Sequence, residues 1–113
     1  MPVSKTLISG STSMLLLNLL SEKDMYGYEM IETLNQRSNH VFDLKAGTLY
    51  PLLHLLENDG YLESYDDLES AKPRKYYRIT KSGRKFLKTK KDEWKEYTTA
   101  VNGVLGGVTF GIL

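Results

Sequence analysis

The chain has 113 residues, 41% of them hydrophobic and 26% charged, which suits one compact domain with an appended element and excludes wholesale disorder. It contains no cysteine, so a disulfide scaffold, a thiolate metal site and a cysteine nucleophile are excluded, and a reducing, cytoplasmic setting is expected. The net charge of +1 hides a division: residues 1–71 hold 4 Lys/Arg against 11 Asp/Glu, a balance of −7, whereas residues 72–113 hold 11 against 3, a balance of +8. Such a split points to an anionic partner for the second part.

Residues 11–20 carry Leu15, Leu16, Leu17, Leu19 and Leu20, too many apolar side chains for a surface helix, so a helix buried on most sides is expected. Residues 21–24 break it. Tyr26, Met30, Ile31 and Leu34 then recur at helical spacing and predict a second helix over residues 26–37. Gly27 near its start is excused by a first-turn position or by a close helix–helix approach, and Tyr26, Tyr28 and Met30 read as core more readily than as a ligand box. Residues 38–43 lack helical period and form the turn that follows.

Residues 47–60 show the clearest periodicity. Leu49, Leu52, Leu53 and Leu56 occupy one face of a third helix, with Gly47 and Thr48 as flexible entry or cap, Pro51 in the first turn and Gly60 as the stop. Residues 61–65 and 75–79 are rich in aromatic or β-branched side chains and predict two strands of a hairpin. Between them, residues 66–73 are polar and contain Pro73, as a hairpin tip should. A final helix starts near Thr80 or Ser82 as cap and runs to about Asn102. Leu87, Trp94 and Val101 lie seven apart along it, with Tyr97 and Leu105 on intervening turns, a spacing that suits packing along a partner helix. Residues 101–113 are apolar, but thirteen residues with four glycines fall short of the roughly 20 needed to cross a bilayer, so no membrane association is expected.

A short helix followed by a basic hairpin is the outline of a winged helix-turn-helix, in which the helix enters a DNA groove and the wing grips the backbone. The expected fold class is therefore mainly α with a small β-hairpin (α+β). Residues 1–80 would form the DNA-binding domain, residues 81–105 a dimerisation helix and residues 106–113 an apolar, glycine-containing tail.

Four segments, Met25-Tyr-Gly-Tyr-Glu29, Gly47-Thr-Leu-Tyr-Pro51, Leu55-Leu-Glu-Asn-Asp-Gly60 and Arg74-Lys-Tyr-Tyr-Arg-Ile-Thr80 followed by Gly83, together resemble the PadR family of bacterial transcriptional regulators. The resemblance spans roughly residues 7–105. It implies a winged helix-turn-helix with a C-terminal dimerisation helix, acting usually as a repressor released by a small molecule. The short length is similar to the compact branch of the family, where some members sense drugs through a tryptophan on the last helix, a position that Trp94 matches.

The candidate DNA-binding residues are Lys45, Thr48, Tyr50 and His54 on the third helix and Lys72, Arg74 and Lys75 at the wing. A helix amino end already favours phosphate, and hydroxyl and cationic side chains there serve phosphate or base edges. The competing expectation has Thr48 merely capping the helix and Tyr50 packing on the wing. Leu87, Trp94, Val101 and Leu105 are the candidate dimer interface. Trp94, Tyr97, Leu15 and Leu16 are candidates to line a site for a flat aromatic effector, with Trp94 as a pure interface anchor the alternative. Double-stranded DNA with a pseudo-palindromic operator, a second copy of the chain and a small aromatic effector are the expected partners. The two histidines, His40 and His54, have no carboxylate or histidine at metal-ligand spacing, and Gly103, Gly106 and Gly107 neither follow a strand nor open a helix. No catalytic residue, metal or cofactor is expected. A winged-helix protein-interaction module and a ligand-independent regulator remain as alternatives.

Overall fold

The computed structural model describes residues 3–69 and 71–106; most of the expected tail, residues 107–113, lies outside them. Five helices and three strands follow in the order α1 (Lys5–Ser9), α2 (Thr12–Glu22), β1 (Met25–Tyr26), α3 (Gly27–Arg37), α4 (Ala46–Asn58), β2 (Leu62–Asp67), β3 (Arg74–Ile79) and α5 (Lys81–Leu105). The fold is mainly helical, with a small antiparallel sheet of order β1-β3-β2. The hairpin is thus widened to three strands by β1, whose Met25 and Tyr26 pair with Tyr77 and Tyr76.

The core lies where α2, α3 and α4 meet the inner face of this sheet. Leu16, Leu17, Leu20, Met25, Met30, Leu49, Leu53 and Tyr77 are its largest fully buried members. The crowded leucines of α2 are accounted for by this position, because the helix is covered by α3, by α5 and by β3. Truncating a leucine such as Leu53 to alanine would cost about 2–5 kcal/mol. Across the surface, Arg37 clamps α3 to α2 through two hydrogen bonds to the Glu22 carboxylate, at 2.6 and 2.8 Å.

Helix α4 starts at Ala46, next to the Lys45 start that the sequence suggests and ahead of Gly47 and Thr48, which are therefore not its cap. Lys45 is the N-cap, its carbonyl accepting from the Thr48 and Leu49 N–H groups at 2.9 Å each, and no side chain caps this end. Pro51 is consequently the sixth helical residue, not a first-turn one, and its missing N–H leaves the exposed Gly47 carbonyl without an i+4 donor. The other end closes as expected: Gly60, at φ 83°, follows the C-cap Asp59, with Gly60 N–H donating to Glu57 and Tyr61 N–H to Leu56. This 5→2 and 6→1 pair is the Schellman pattern, which needs the left-handed conformation that glycine supplies without strain.

Thr80 then joins the end of α4 to the start of α5. Its hydroxyl donates to the Gly60 carbonyl at 2.7 Å and accepts from Gly83 N–H at 2.9 Å, while its own N–H donates to the Tyr61 carbonyl at 3.0 Å. Tyr61 in turn stacks on Phe86 of α5, ring centroids 4.2 Å apart and nearly parallel.

Candidate nucleic-acid interface

Helix α4 buries Leu49, Leu53 and Leu56 and leaves Thr48, Tyr50 and His54 exposed. Successive helical residues turn by 100°, so positions 48 and 50 fall on different flanks. Tyr50 faces the wing, in a groove of about 530 Å³ shared with Tyr26, Gly27, Tyr28, Glu32, Lys72, Arg74 and Lys75. Lys45, Gly47 and Thr48 instead border a separate cavity beside α1, together with Ile8, Leu44 and Leu52. The seven candidates therefore divide: Tyr50 joins the three wing cations, Lys45 and Thr48 lie round the helix from them, and His54 stands in neither hollow. Lys45 pairs with Asp43 at 3.3 Å on an open surface, a contact worth little in water.

Gly27 explains why Tyr50 sits where it does. A β-carbon on Gly27 would overlap the Tyr50 hydroxyl, with Cζ only 2.7 Å away. The glycine is the first residue of α3, as the first-turn reading has it, and what approaches it closely is the Tyr50 side chain of α4. The same groove recruits Tyr28, 66% exposed, and half-buried Tyr26, which the sequence had suggested as core. Tyrosines at i and i+2 around a helix start cannot share one buried face, and that spacing was the available signal.

The wing's acids are set by its register. Asp66 lies opposite Lys75, Asp67 opposite Arg74 and Glu63 opposite Arg78, so each of these three strand acids has a cation as its cross-strand neighbour, while Glu69 lies beyond the paired strands. Arg78 pairs with Glu63 at 3.2 Å. The outer face of the sheet carries Tyr26, Tyr65 and Tyr76, and Tyr65 donates its hydroxyl to Asp24 at 2.7 Å, which holds the phenol above its ordinary range. Burial does the same for Tyr77 on the inner face.

A tyrosine-bearing helix beside a basic hairpin is thus a single concave surface, and comparison with known proteins identifies the chain that carries it. Residues 16–89 match the transcriptional regulator PadR-like family. The chain belongs to that family. A PadR-family transcriptional regulator from Eggerthella lenta is 36% identical, with a TM-score of 0.78 over 91% of this chain and 88% of that one. A transcriptional regulator from Clostridium thermocellum is 35% identical, with a TM-score of 0.81 over 88% and 94%. A protein of Lysinibacillus sphaericus is 35% identical over 107 residues, covering 94% of this chain and 98% of the relative. The PadR-like fold and the wing together make this a winged-helix DNA-binding transcriptional regulator.

Beyond the wing, the PadR-like chain extends α5 away from the domain. Its first part is not free: Leu87 is only 5% exposed and packs in the core of its own domain, so it is withdrawn from the candidate dimer interface. Heptad spacing reports that something covers position 87, and here the cover is intramolecular. Further out, Trp94 (47% exposed), Tyr97, Val104 and Leu105 are exposed and Val101 is half-buried. Trp94 and Tyr97 lie with Leu15, Met14, Leu7 and Phe42 around a cleft of about 730 Å³ between the amino-terminal helices and α5. Leu16 is fully buried in the core and does not reach this cleft, because one residue along α2 turns its side chain 100° from Leu15. No described helix is long and apolar enough to cross a membrane, and no cluster of potential metal ligands occurs among the described residues.

Proposed function

We propose that this regulator is a homodimeric repressor that holds a pseudo-palindromic operator and releases it when a flat aromatic, drug-like molecule binds near Trp94. The observation that carries the DNA half of this reading is the groove that joins Tyr50 to Lys72, Arg74 and Lys75. Helix α4 enters the major groove, and the wing cations reach flanking phosphates or the minor groove. Two-fold symmetry repeats the contact about one helical turn away.

The dimer half rests on α5. Trp94, Tyr97, Val104 and Leu105 leave one projecting helix apolar and exposed, a surface that monomeric proteins seldom tolerate. A second α5 covers it and brings two copies of Trp94 near each other. A ligand stacked there couples reciprocally to DNA, since any molecule that binds one arrangement of the pair better must weaken the other.

A gel shift with the DNA upstream of the protein's own gene, at two salt concentrations, tests the reading. Tight, sequence-selective and salt-sensitive binding is expected, and Lys45→Ala with Tyr50→Ala should weaken it by up to a few kcal/mol while leaving the dimer intact. Absence of selective binding would instead favour a protein-interaction module.

A further inference from the structure

We propose that Tyr26 is a positioning residue for DNA binding, its ring serving as a platform that holds the Arg74 guanidinium ready for a phosphate. The inference rests on the reading of the groove as the DNA site, and it adds a residue from outside both the recognition helix and the wing. The Arg74 guanidinium carbon lies 4.3 Å from the centre of the Tyr26 ring. Both residues border the groove that contains Tyr50, Lys72 and Lys75.

The platform is itself fixed. Tyr26 ends strand β1 opposite Tyr76 and N-caps α3 in extended conformation, so its backbone is held by a sheet on one side and a helix on the other. Its ring meets Tyr76 edge-on at 5.5 Å, and Tyr76 stacks on Tyr65 at 5.8 Å. Tyr65 is tied to Asp24 through its hydroxyl. Strand periodicity puts Arg74, Tyr76 and Arg78 on this same outer face.

The two arginines of that face have different surroundings. Arg78 stacks over Tyr65 at 4.9 Å and is also neutralised by Glu63. Arg74 forms no ion pair among the described residues, and the carboxylate of its cross-strand neighbour Asp67 accepts from the Glu69 N–H at 3.1 Å. A guanidinium stacked on a ring uses its flat face, and its N–H groups lie in the plane of its edge. They stay available for bidentate donation to a phosphate, and the side chain has already lost much of the rotamer freedom that binding would otherwise remove. A lysine at the same position could also lie over the ring, as Lys90 lies over Phe86 at 5.3 Å, but its ammonium has no planar edge of paired N–H groups for the ring to hold toward a phosphate.

The test is a mutant cycle read by fluorescence anisotropy, with a labelled duplex cut from the DNA upstream of the protein's own gene. Tyr26→Phe keeps the ring and should bind like the parent. Tyr26→Leu should weaken binding roughly three- to tenfold, Arg74→Ala should weaken it at least as much, and the double variant should be no weaker than Arg74→Ala alone. In an Arg74→Lys background, Tyr26→Leu should have a clearly smaller effect than in the parent. Titrating the active fraction of each variant separates lost affinity from lost folding. Losses that add independently overturn the proposal, as does a Tyr26→Leu variant that binds like the parent while Arg74→Ala does not. If Arg74→Ala itself binds like the parent, the assignment of the groove falls, and the role of Tyr26 falls with it.

Discussion

Replacing Gly27 by alanine tests how closely α4, the proposed recognition helix, is seated. The new methyl group would overlap the Tyr50 phenol, with Cζ at 2.7 Å and Cε1 at 3.2 Å. These atoms are the far end of a side chain that is 36% exposed, so the ring can swing outward without parting the backbones. Overpacking a core costs about 1–3 kcal/mol; a soft neighbour puts this case at the low end, and alanine regains up to about 1 kcal/mol of helix propensity. The melting temperature should therefore move by only a few degrees. Affinity for DNA should suffer more, because the displaced phenol leaves the groove: about 1–2 kcal/mol, or roughly five- to thirtyfold. Gly83→Ala is the opposite case. There the methyl group meets the Tyr61 carbonyl and lies 2.8 Å from Ile79 Cγ1, and the backbone oxygen cannot swing away. A loss of about 2 kcal/mol, near 10 °C in melting temperature, is expected, with the affinity of the folded fraction unchanged. Circular-dichroism melts at one protein concentration and anisotropy titrations give both quantities. If Gly27→Ala kept full affinity, the assignment of Tyr50 to the DNA face would be refuted; if it melted as early as Gly83→Ala, the contact with Tyr50 would not be the yielding one argued from its exposed ring.

Two further outcomes are expected. The Glu22 carboxyl is held below its ordinary range chiefly by the hydrogen bonds from Arg37; a group shifted that way stabilises the fold above its unfolded pKa and loses the contribution as pH falls through the folded value. Glu22→Gln should thus melt earlier than the parent at neutral pH, with the two curves converging in acid, and a constant gap would contradict the pair's role. Trp94 is the chain's single tryptophan, so planar aromatic drugs that stack on it should quench the fluorescence, and a spectrum unmoved across a varied panel would remove the effector site from the cleft.

Much of the architecture could be read from residue spacing, because the decisive elements carry strong local patterns. The leucines at 49, 52, 53 and 56 specify one face of α4, and the strand around Tyr76 and Tyr77 announces the wing. Elements that depend on distant partners were not legible. Strand β1 has two residues and exists because β3 lies beside it, while α1 has five residues and too little length to show a period. The same limit applies at the site. Spacing identified Leu87 as covered but not by what, and it grouped Thr48 with Tyr50 although two residues of helix turn them to different flanks. Tyr26 looked like core because an aromatic at a helix start has no local sign of the arginine that will lie on it from the wing.

The joint at Thr80 has a mechanical meaning. Three hydrogen bonds and the Tyr61–Phe86 stack tie the end of α4, the proposed DNA-reading helix, to the start of the long helix that follows. On the proposed reading the two would act as one lever. Fourteen residues separate Thr80 from Trp94, about 21 Å of helix at 1.5 Å per residue. A tilt of about 5° imposed at the tryptophan end by the proposed effector would then displace the joint by roughly 2 Å, a shift comparable to the interface translations through which regulatory proteins switch state.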